Sequence, residues 1–223
     1  MFFGGAGVST ESGIPDFRGA EGIYTRAEGR IPPERILSHD FFFEHTEQFY
    51  DFYKKHMVYK DAKPNAAHKK LAELERAGKL RGVVTQNIDG LHQAAGSRNV
   101  KELHGSIHRN HCVKCGKVYR LEDVLNAAGV PRCACGGIIK PDVVLYGEAL
   151  DDDTVSGSIS LIRAADTLIV GGTSLTVYPA AGLIDFFHGK NLVLINKSET
   201  PYDGLATLRL YGSIGELLGS VAL

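Results

Sequence analysis

The residues best able to do chemistry in this chain are His104-Gly105, the run Gln86-Asn87-Ile88-Asp89, and cysteines 112, 115, 133 and 135. An imidazole with an ordinary pKa of about 6.5 can move a proton at neutral pH. Nine histidines occur, however, and most histidines are structural. His104 stands apart because Gly105 follows it, leaving room for a substrate to approach the ring. Gln86, Asn87 and Asp89 can read a carboxamide, since Asp accepts from its NH2 and a backbone N–H meets its oxygen. An Asx-type turn with Asp89 as N-cap accounts for the same residues equally well. Cys112-Val113-Lys114-Cys115 and Cys133-Ala134-Cys135 are two short-spaced pairs separated by 17 residues, as in a tetrahedral zinc–thiolate site. The second pair is tight, and Gly136-Gly137 just after it would ease the strain. Four thiols complete the shell without His108 or His111, so a bound metal would be structural; a redox dithiol or buried free thiols are the alternatives.

These groups need a scaffold, and the apolar runs supply one. Met1-Phe2-Phe3, Gly82 to Thr85, Thr167 to Val170 and Leu192 to Ile195 each run into a polar or Gly-rich segment. Continuous apolar runs of this length read as strands buried on both faces of a parallel sheet. Helices are expected between them, from an N-cap at Asn65 to about Ala77 with Gly78 as terminator, and from Pro179 to about Phe187. Asp151-Asp152-Asp153 reads as a solvated helix start. The fold class is α/β: a Rossmann-type parallel-sheet domain (1–22, 64–106 and 141–223) with a smaller inserted lobe. That lobe has a helical, aromatic part (23–63), with Phe41 to Phe43 and Phe49 to Tyr53 as its core, and a zinc-ribbon part (107–140). Ligands of such sheets bind beyond the carboxyl ends of the strands, so the polar segments converge on one crevice. There Gly5-Ala6-Gly7 could bring backbone N–H groups close to a pyrophosphate, or form a plain turn. Thr10 replaces the third glycine of the usual dinucleotide fingerprint and no acidic strand end follows, which disfavours an ordinary dehydrogenase.

The 223 residues carry 25 Lys plus Arg against 26 Asp plus Glu, a net charge of −1 that argues against a strongly basic nucleic-acid binder. Five basic residues against one acidic between 101 and 120 make only a mild positive face. No apolar run is long enough for a membrane span, and no signal peptide is visible. A soluble, cytoplasmic monomer with no membrane or direct nucleic-acid partner is expected.

Taken in order, the motifs resemble those of the sirtuin family of NAD-dependent protein deacylases, in its bacterial form. Gly5-Ala6-Gly7-Val8-Ser9 and Gly13-Ile14-Pro15-Asp16-Phe17-Arg18-Gly19 look like its opening signature. Gln86-Asn87-Ile88-Asp89, His104-Gly105, the four cysteines, Gly172-Thr173-Ser174-Leu175 and Asn196 follow. Only three residues precede Gly4, fewer than the family has there.

The resemblance implies NAD as cosubstrate, one structural Zn2+ on Cys112, Cys115, Cys133 and Cys135, and acetylated-lysine proteins or peptides as partners. Ala6, Gly7, Glu11, Asp16, Phe17 and Arg18 would belong to the cofactor loop and phosphate cradle. Gln86, Asn87, Ile88 and Asp89 would shape the ribose and nicotinamide pocket, with Asn87 and Asp89 catalytic beside His104 as general base. Gly172, Thr173, Ser174, Asn196 and Ile214 would hold the adenosine half. Val144, Gly147 and Glu148 on one side, and Val177 and Tyr178 on the other, resemble segments between which the peptide adds as a strand. The implied reaction transfers the acetyl group from lysine to ADP-ribose and releases nicotinamide. Members that prefer succinyl-lysine carry a Tyr with an Arg three residues on; here Tyr50 is followed by Tyr53, so an uncharged acyl group is expected. ADP-ribosyl transfer to protein from the same NAD site is the alternative activity. A zinc-ribbon binding module on an idle nucleotide domain would leave Gln86, Asn87, Asp89 and His104 without purpose.

Overall fold

The computed structural model describes residues 1–17, 22–26 and 31–222, leaving Arg18 outside the described residues. Six parallel strands form the main sheet: β1 (Phe2–Gly4), β2 (Val83–Thr85), β3 (Val100–Glu102), β7 (Thr167–Gly171), β8 (Asn191–Asn196) and β9 (Leu208–Tyr211). Their order is β3-β2-β1-β7-β8-β9. The apolar runs are buried on both faces, as neighbouring Phe2 and Phe3 show: both have 0% exposure but point into different cores. Phe3 packs with Ile162 and Ile184 beneath helix Asp152–Arg163 and the 3-10 helix Ala180–Phe186. Phe2 packs with Leu71, Ile214 and Leu218 of helices Ala66–Arg76 and Ile214–Gly219.

Sequence and structure agree closely on helix Ala66–Arg76. Asn65 accepts from the Ala67 and His68 N–H groups, and its own amide donates to Val8 O at 2.7 Å, tying the helix start to the loop after β1. Gly78, at φ +69°, ends it in the left-handed conformation that glycine tolerates. Asp151 caps the next long helix by accepting from Thr154 N. The helix expected from Pro179 is instead a 3-10 segment beginning at Ala180, with Pro179 as its cap.

The smaller lobe joins helices His39–Glu44 and Thr46–His56 to an antiparallel sheet of order β5-β4-β6, formed by β4 (Gly105–Cys112), β5 (Val118–Tyr119) and β6 (Ile139–Val143). Phe42, Phe49, Tyr50 and Tyr53 interlock in its core, with Phe42 and Phe49 edge-to-face at 4.9 Å. Tyr50 donates its hydroxyl to Ile139 O, linking helix to sheet. Among the described residues no helix is long and apolar enough to cross a membrane.

Two histidines are buried in the larger domain, their ring centroids 4.7 Å apart: His68 at 0% and His92 at 1% exposure. Burial lowers the His68 pKa to about 4, with Asp89 opposing. Burial, then the neighbouring His68, lowers His92 to about 3. His68 Nε2 and both His92 nitrogens have no hydrogen-bond partner among the described residues, so an added proton would find no acceptor. Both folded pKa values lie below the unfolded value of about 6.5, so below that pH the unfolded chain binds more protons than the native one. Stability is therefore full above about pH 6.5 and falls as pH drops toward 4, by about 1.4 kcal/mol per pH unit per histidine. Thermal melting between pH 7 and 4.5 should show this slope, and His92→Asn should reduce it; an unchanged slope in the variant would refute the assignment.

Candidate active site

The sheet order reverses between β1 and β7, and a crevice opens there beyond the strand ends. Two loops meet at its base through their backbones. Gly5 N donates to Gly171 O at 3.2 Å and Gly7 N to Gly172 O at 2.8 Å. A Cβ on Gly7 would lie 2.8 Å from Gly172 Cα, and one on Gly172 would lie 2.4 Å from Val8 N. These glycines permit loop-to-loop packing, and the N–H groups of Gly5 and Gly7 are already engaged. Of the two readings of Gly5-Ala6-Gly7, the turn is what these contacts make, and Ala6 and Gly7 also line the cleft.

A cleft of about 480 Å3 runs from this junction toward the smaller lobe. Ala6, Gly7, Asp16, Phe17, Gln86, Asn87, Ile88, Asp89, His104, Gly172, Thr173, Ser174, Asn196 and Ile214 line it. So do Val144, Gly147, Glu148, Val177 and Tyr178. Glu11 is placed differently: its carboxylate accepts from Gly215 N at 2.6 Å, bridging the first loop to the last helix rather than facing the cleft. A carboxylate is well placed on the free N–H groups of a helix start.

The polar groups at the strand ends hold one another in place. Buried Ser9 accepts from Asn87 Nδ2 at 3.0 Å and donates to Asp89 Oδ2 at 2.6 Å. Asp89 Oδ1 accepts from Leu91 N at 2.9 Å, so the Asx turn and the cleft-lining role coexist in one residue. Gln86 Nε2 donates to Thr173 Oγ1, and Thr173 N to Asn196 Oδ1, each at 3.0 Å. Asn196 Nδ2 is buried with no partner among the described residues, a donor available to a polar ligand in the cleft. That orphaned donor, beside a crevice at the sheet's reversal, fits the adenosine half of a dinucleotide.

His104 lies just beyond β3, with its Nδ1 3.0 Å from Gln86 O. A carbonyl only accepts, so Nδ1 carries the proton and Nε2 keeps its lone pair. Burial lowers this pKa, against a smaller rise from the Gln86 hydrogen bond, and the ring is neutral at pH 7. Gly105 has a reason in the backbone as well as beside the ring. At φ +73°, its Cβ would lie 1.8 Å from Asp142 O, so glycine is required by the contact of β4 with β6.

The four Sγ atoms lie within 4.8 Å of one another, with Cys112–Cys135 at 3.5 Å and Cys115–Cys133 at 3.6 Å. A zinc tetrahedron with Zn–S of about 2.3 Å has edges of about 3.8 Å. The Cys135 N–H and the Tyr119 hydroxyl hold the Cys133 thiol down to about 6. Although the Gly137 N–H pulls the Cys135 thiol down, neighbouring Cys112, Cys133 and Cys115 push it up to about 12. Four Sγ atoms at this mutual spacing fit a structural Zn2+, which binds them as thiolates. Gly137 lets the ribbon close, since a Cβ there would sit 2.6 Å from Cys112 Sγ.

Tyr50 and Tyr53 do not reach the cleft; their rings are lobe core at 1% exposure each. The end of their helix and the following loop present His56, Met57 and Tyr59 instead, so Tyr50 and Tyr53 are not the pair that meets an acyl chain. Ser9, Tyr146 and Lys197 also line the cleft, and their residue types and spacing alone do not mark a role for them. Ser9 was visible within the opening motif, but only the fold shows that it bridges Asn87 and Asp89.

A Sir2 family model matches residues 5–179. The chain belongs to the Sir2 family. It is 61% identical to an NAD-dependent protein deacetylase of Clostridium acetobutylicum over 99% of this chain and 91% of that protein. A deacetylase of the same name from Cutibacterium acnes is 53% identical over 99% and 91%. Among solved structures, a Sir2 variant with deacetylated p53 peptide and 3'-O-acetyl-ADP-ribose gives a TM-score of 0.91 at 44% identity, covering 97% of this chain and 89% of that one. A Sir2–p53 peptide–NAD+ complex gives 0.85 at 43%, with the same coverage.

Two outcomes follow for this Sir2 chain. Ser9→Ala removes the bridge between Asn87 and Asp89, leaving buried polar groups unpaired at a cost of about 1–3 kcal/mol. The turnover number should fall roughly 10- to 100-fold; wild-type turnover would show that the bridge does not order the cleft. Gly137→Ala should speed zinc release to a chelating dye, and an unchanged rate would mean that residue 137 does not limit the thiolate geometry.

Proposed function

We infer that the chain is an NAD-dependent protein-lysine deacetylase, transferring the acetyl group of acetyl-lysine to ADP-ribose with release of nicotinamide. The observation that carries this reading is the oriented imidazole of His104, its Nδ1–H held by Gln86 O and its Nε2 left basic beside the cleft. Relatives so named cover nearly the whole chain, and solved relatives hold NAD+ and p53 peptide.

The chain's own residues supply orientation and proton transfer. Thr173, Ser174, Asn196 and Ile214 line the adenosine end, with Asn196 Nδ2 as a free donor. Asn87 and Asp89, held by Ser9, stand at the ribose and nicotinamide end, where preorganised groups need no reorientation as charge develops. With nicotinamide displaced from the ribose by the acyl oxygen, His104 Nε2 would accept a ribose hydroxyl proton, the hydroxyl oxygen would add to the acyl carbon, and the lysine nitrogen would leave as the free amine. Burial keeps the base neutral at lower pH than a free imidazole, so the acid limb of the rate profile lies below about 6.5. The acyl-lysine peptide docks as a strand between Val144–Glu148 and Val177–Tyr178, both of which line the cleft. Burial and then Lys55 lower the pKa of His56, which lines the cleft at the helix end.

His104→Ala should lower peptide-dependent nicotinamide release about 10^2- to 10^4-fold while zinc content and melting hold. Full turnover in a folded variant would remove His104 from its role. Label passing from NAD to protein in place of peptide-dependent release would establish ADP-ribosyl transfer instead.

A further inference from the structure

Lys140 follows Ile138-Ile139 in the chain and lies on β6, where the fold buries it to 8% exposure. A buried ammonium is unfavourable unless its hydrogen bonds and charge are met. Here they are: Nζ donates to Glu148 Oε2 at 3.0 Å, Val143 O at 3.1 Å and Pro141 O at 3.3 Å. It also lies 6.0 Å from the centre of the Phe42 ring. Glu148 Oε2 in turn accepts from Leu145 N at 2.8 Å, and Glu148 N donates to Leu145 O at 2.9 Å. One ammonium therefore holds both ends of the segment from Val143 to Glu148.

That segment faces the cleft along its length, whereas Lys140 does not line it. Its other ties run to separate elements: Val144 N donates to His104 O at 3.0 Å, and Tyr146 N to Leu37 O at 2.9 Å. Gly147, at φ +91°, makes the turn between them and the carboxylate. An edge that receives an extended peptide binds best when already ordered, since ordering it at the moment of binding weakens affinity.

We propose that Lys140, acting through Glu148, is a positioning residue that pre-orders segment 144–148 as the docking edge for the acyl-lysine peptide. The proposal rests on the reading of that segment as the peptide's binding edge. Removing the ammonium strands the Glu148 carboxylate and frees the segment, without touching the groups at the adenosine and ribose ends.

The test is steady-state kinetics of the zinc-loaded chain with NAD and an acetyl-lysine peptide. Lys140→Met should raise the peptide KM about tenfold or more, with the NAD KM and kcat within about threefold of wild type. The double variant Lys140→Met with Glu148→Gln leaves no stranded charge and keeps an acceptor for Leu145 N. It should recover melting temperature relative to Lys140→Met; no recovery would mean that Lys140 does not act through the Glu148 carboxylate, and would overturn the proposal. Gly147→Ala, which strains the turn itself, separates the two layers of inference. If it raises the peptide KM and Lys140→Met does not, the role of Lys140 falls alone; if neither does, the segment is not the docking edge and that reading falls with it. An equal rise in the NAD and peptide KM values would mean general loosening and overturn the proposal.

Discussion

The backbone contact between Gly7 and Gly172 is the constraint on which the site depends. It sits where the parallel sheet reverses its order, and it brings the loop after β1 against the loop after β7 with no side chain between them. Because the loops close on each other there, Thr173 comes within reach of both Gln86 and Asn196, and groups from three strand ends share one wall. A side chain at either glycine would push these strand ends apart.

Within that wall the polar groups are chiefly satisfied by one another. Ser9 sits between Asn87 and Asp89, Thr173 between Gln86 and Asn196, and Gln86 O receives the His104 ring. A network of this kind is fixed before any ligand arrives, which is the condition under which electrostatic groups accelerate a reaction. It also means that residues whose types suggest direct ligand contact act partly as struts. Asp89 gives one oxygen to Ser9 and the other to the start of a short helix.

Much of this was legible in the sequence because the strands are buried on both faces and stop at polar segments. Phe2–Gly4, Val83–Thr85, Thr167–Gly171 and Asn191–Asn196 emerge within a residue or so of the apolar runs. The four cysteines were legible from spacing alone, since a thiolate set needs two close pairs and little else. What escaped were residues whose role comes from packing partners distant in the chain. Glu11 reads as part of the first loop, yet its partner is Gly215, 204 residues away. Tyr50 and Tyr53 have the spacing of a recognition pair, but the helix turns their face into the lobe core and presents His56 and Met57 at its end. Gly105 was assigned to substrate access on local grounds, and only the approach of β6 reveals the 1.8 Å clash that requires it. Strand β9 was missed because its residues are half exposed at the sheet edge, where the apolar signal is weak.

His104 shows how the two lobes bear on one residue. Its ring is oriented from the larger domain, by the Gln86 carbonyl at the end of β2, while its own carbonyl accepts from Val144 N at the edge of the smaller lobe. Gly105 then lets the chain pass directly against β6, so the segment carrying the base and the segment from Val144 to Glu148 cannot shift independently. The zinc–thiolate set and the aromatic core brace the far end of the same β4–β6 pair, since Cys112 closes β4 opposite Ile139 and Tyr50 hydrogen-bonds to that residue's carbonyl. A Zn2+ on these thiolates would brace the Cys112–Ile139 end of the pair, while the Gly105–Val143 end, beyond the register shift between Ser106 and Asn110, sets the base against the edge that presents its substrate.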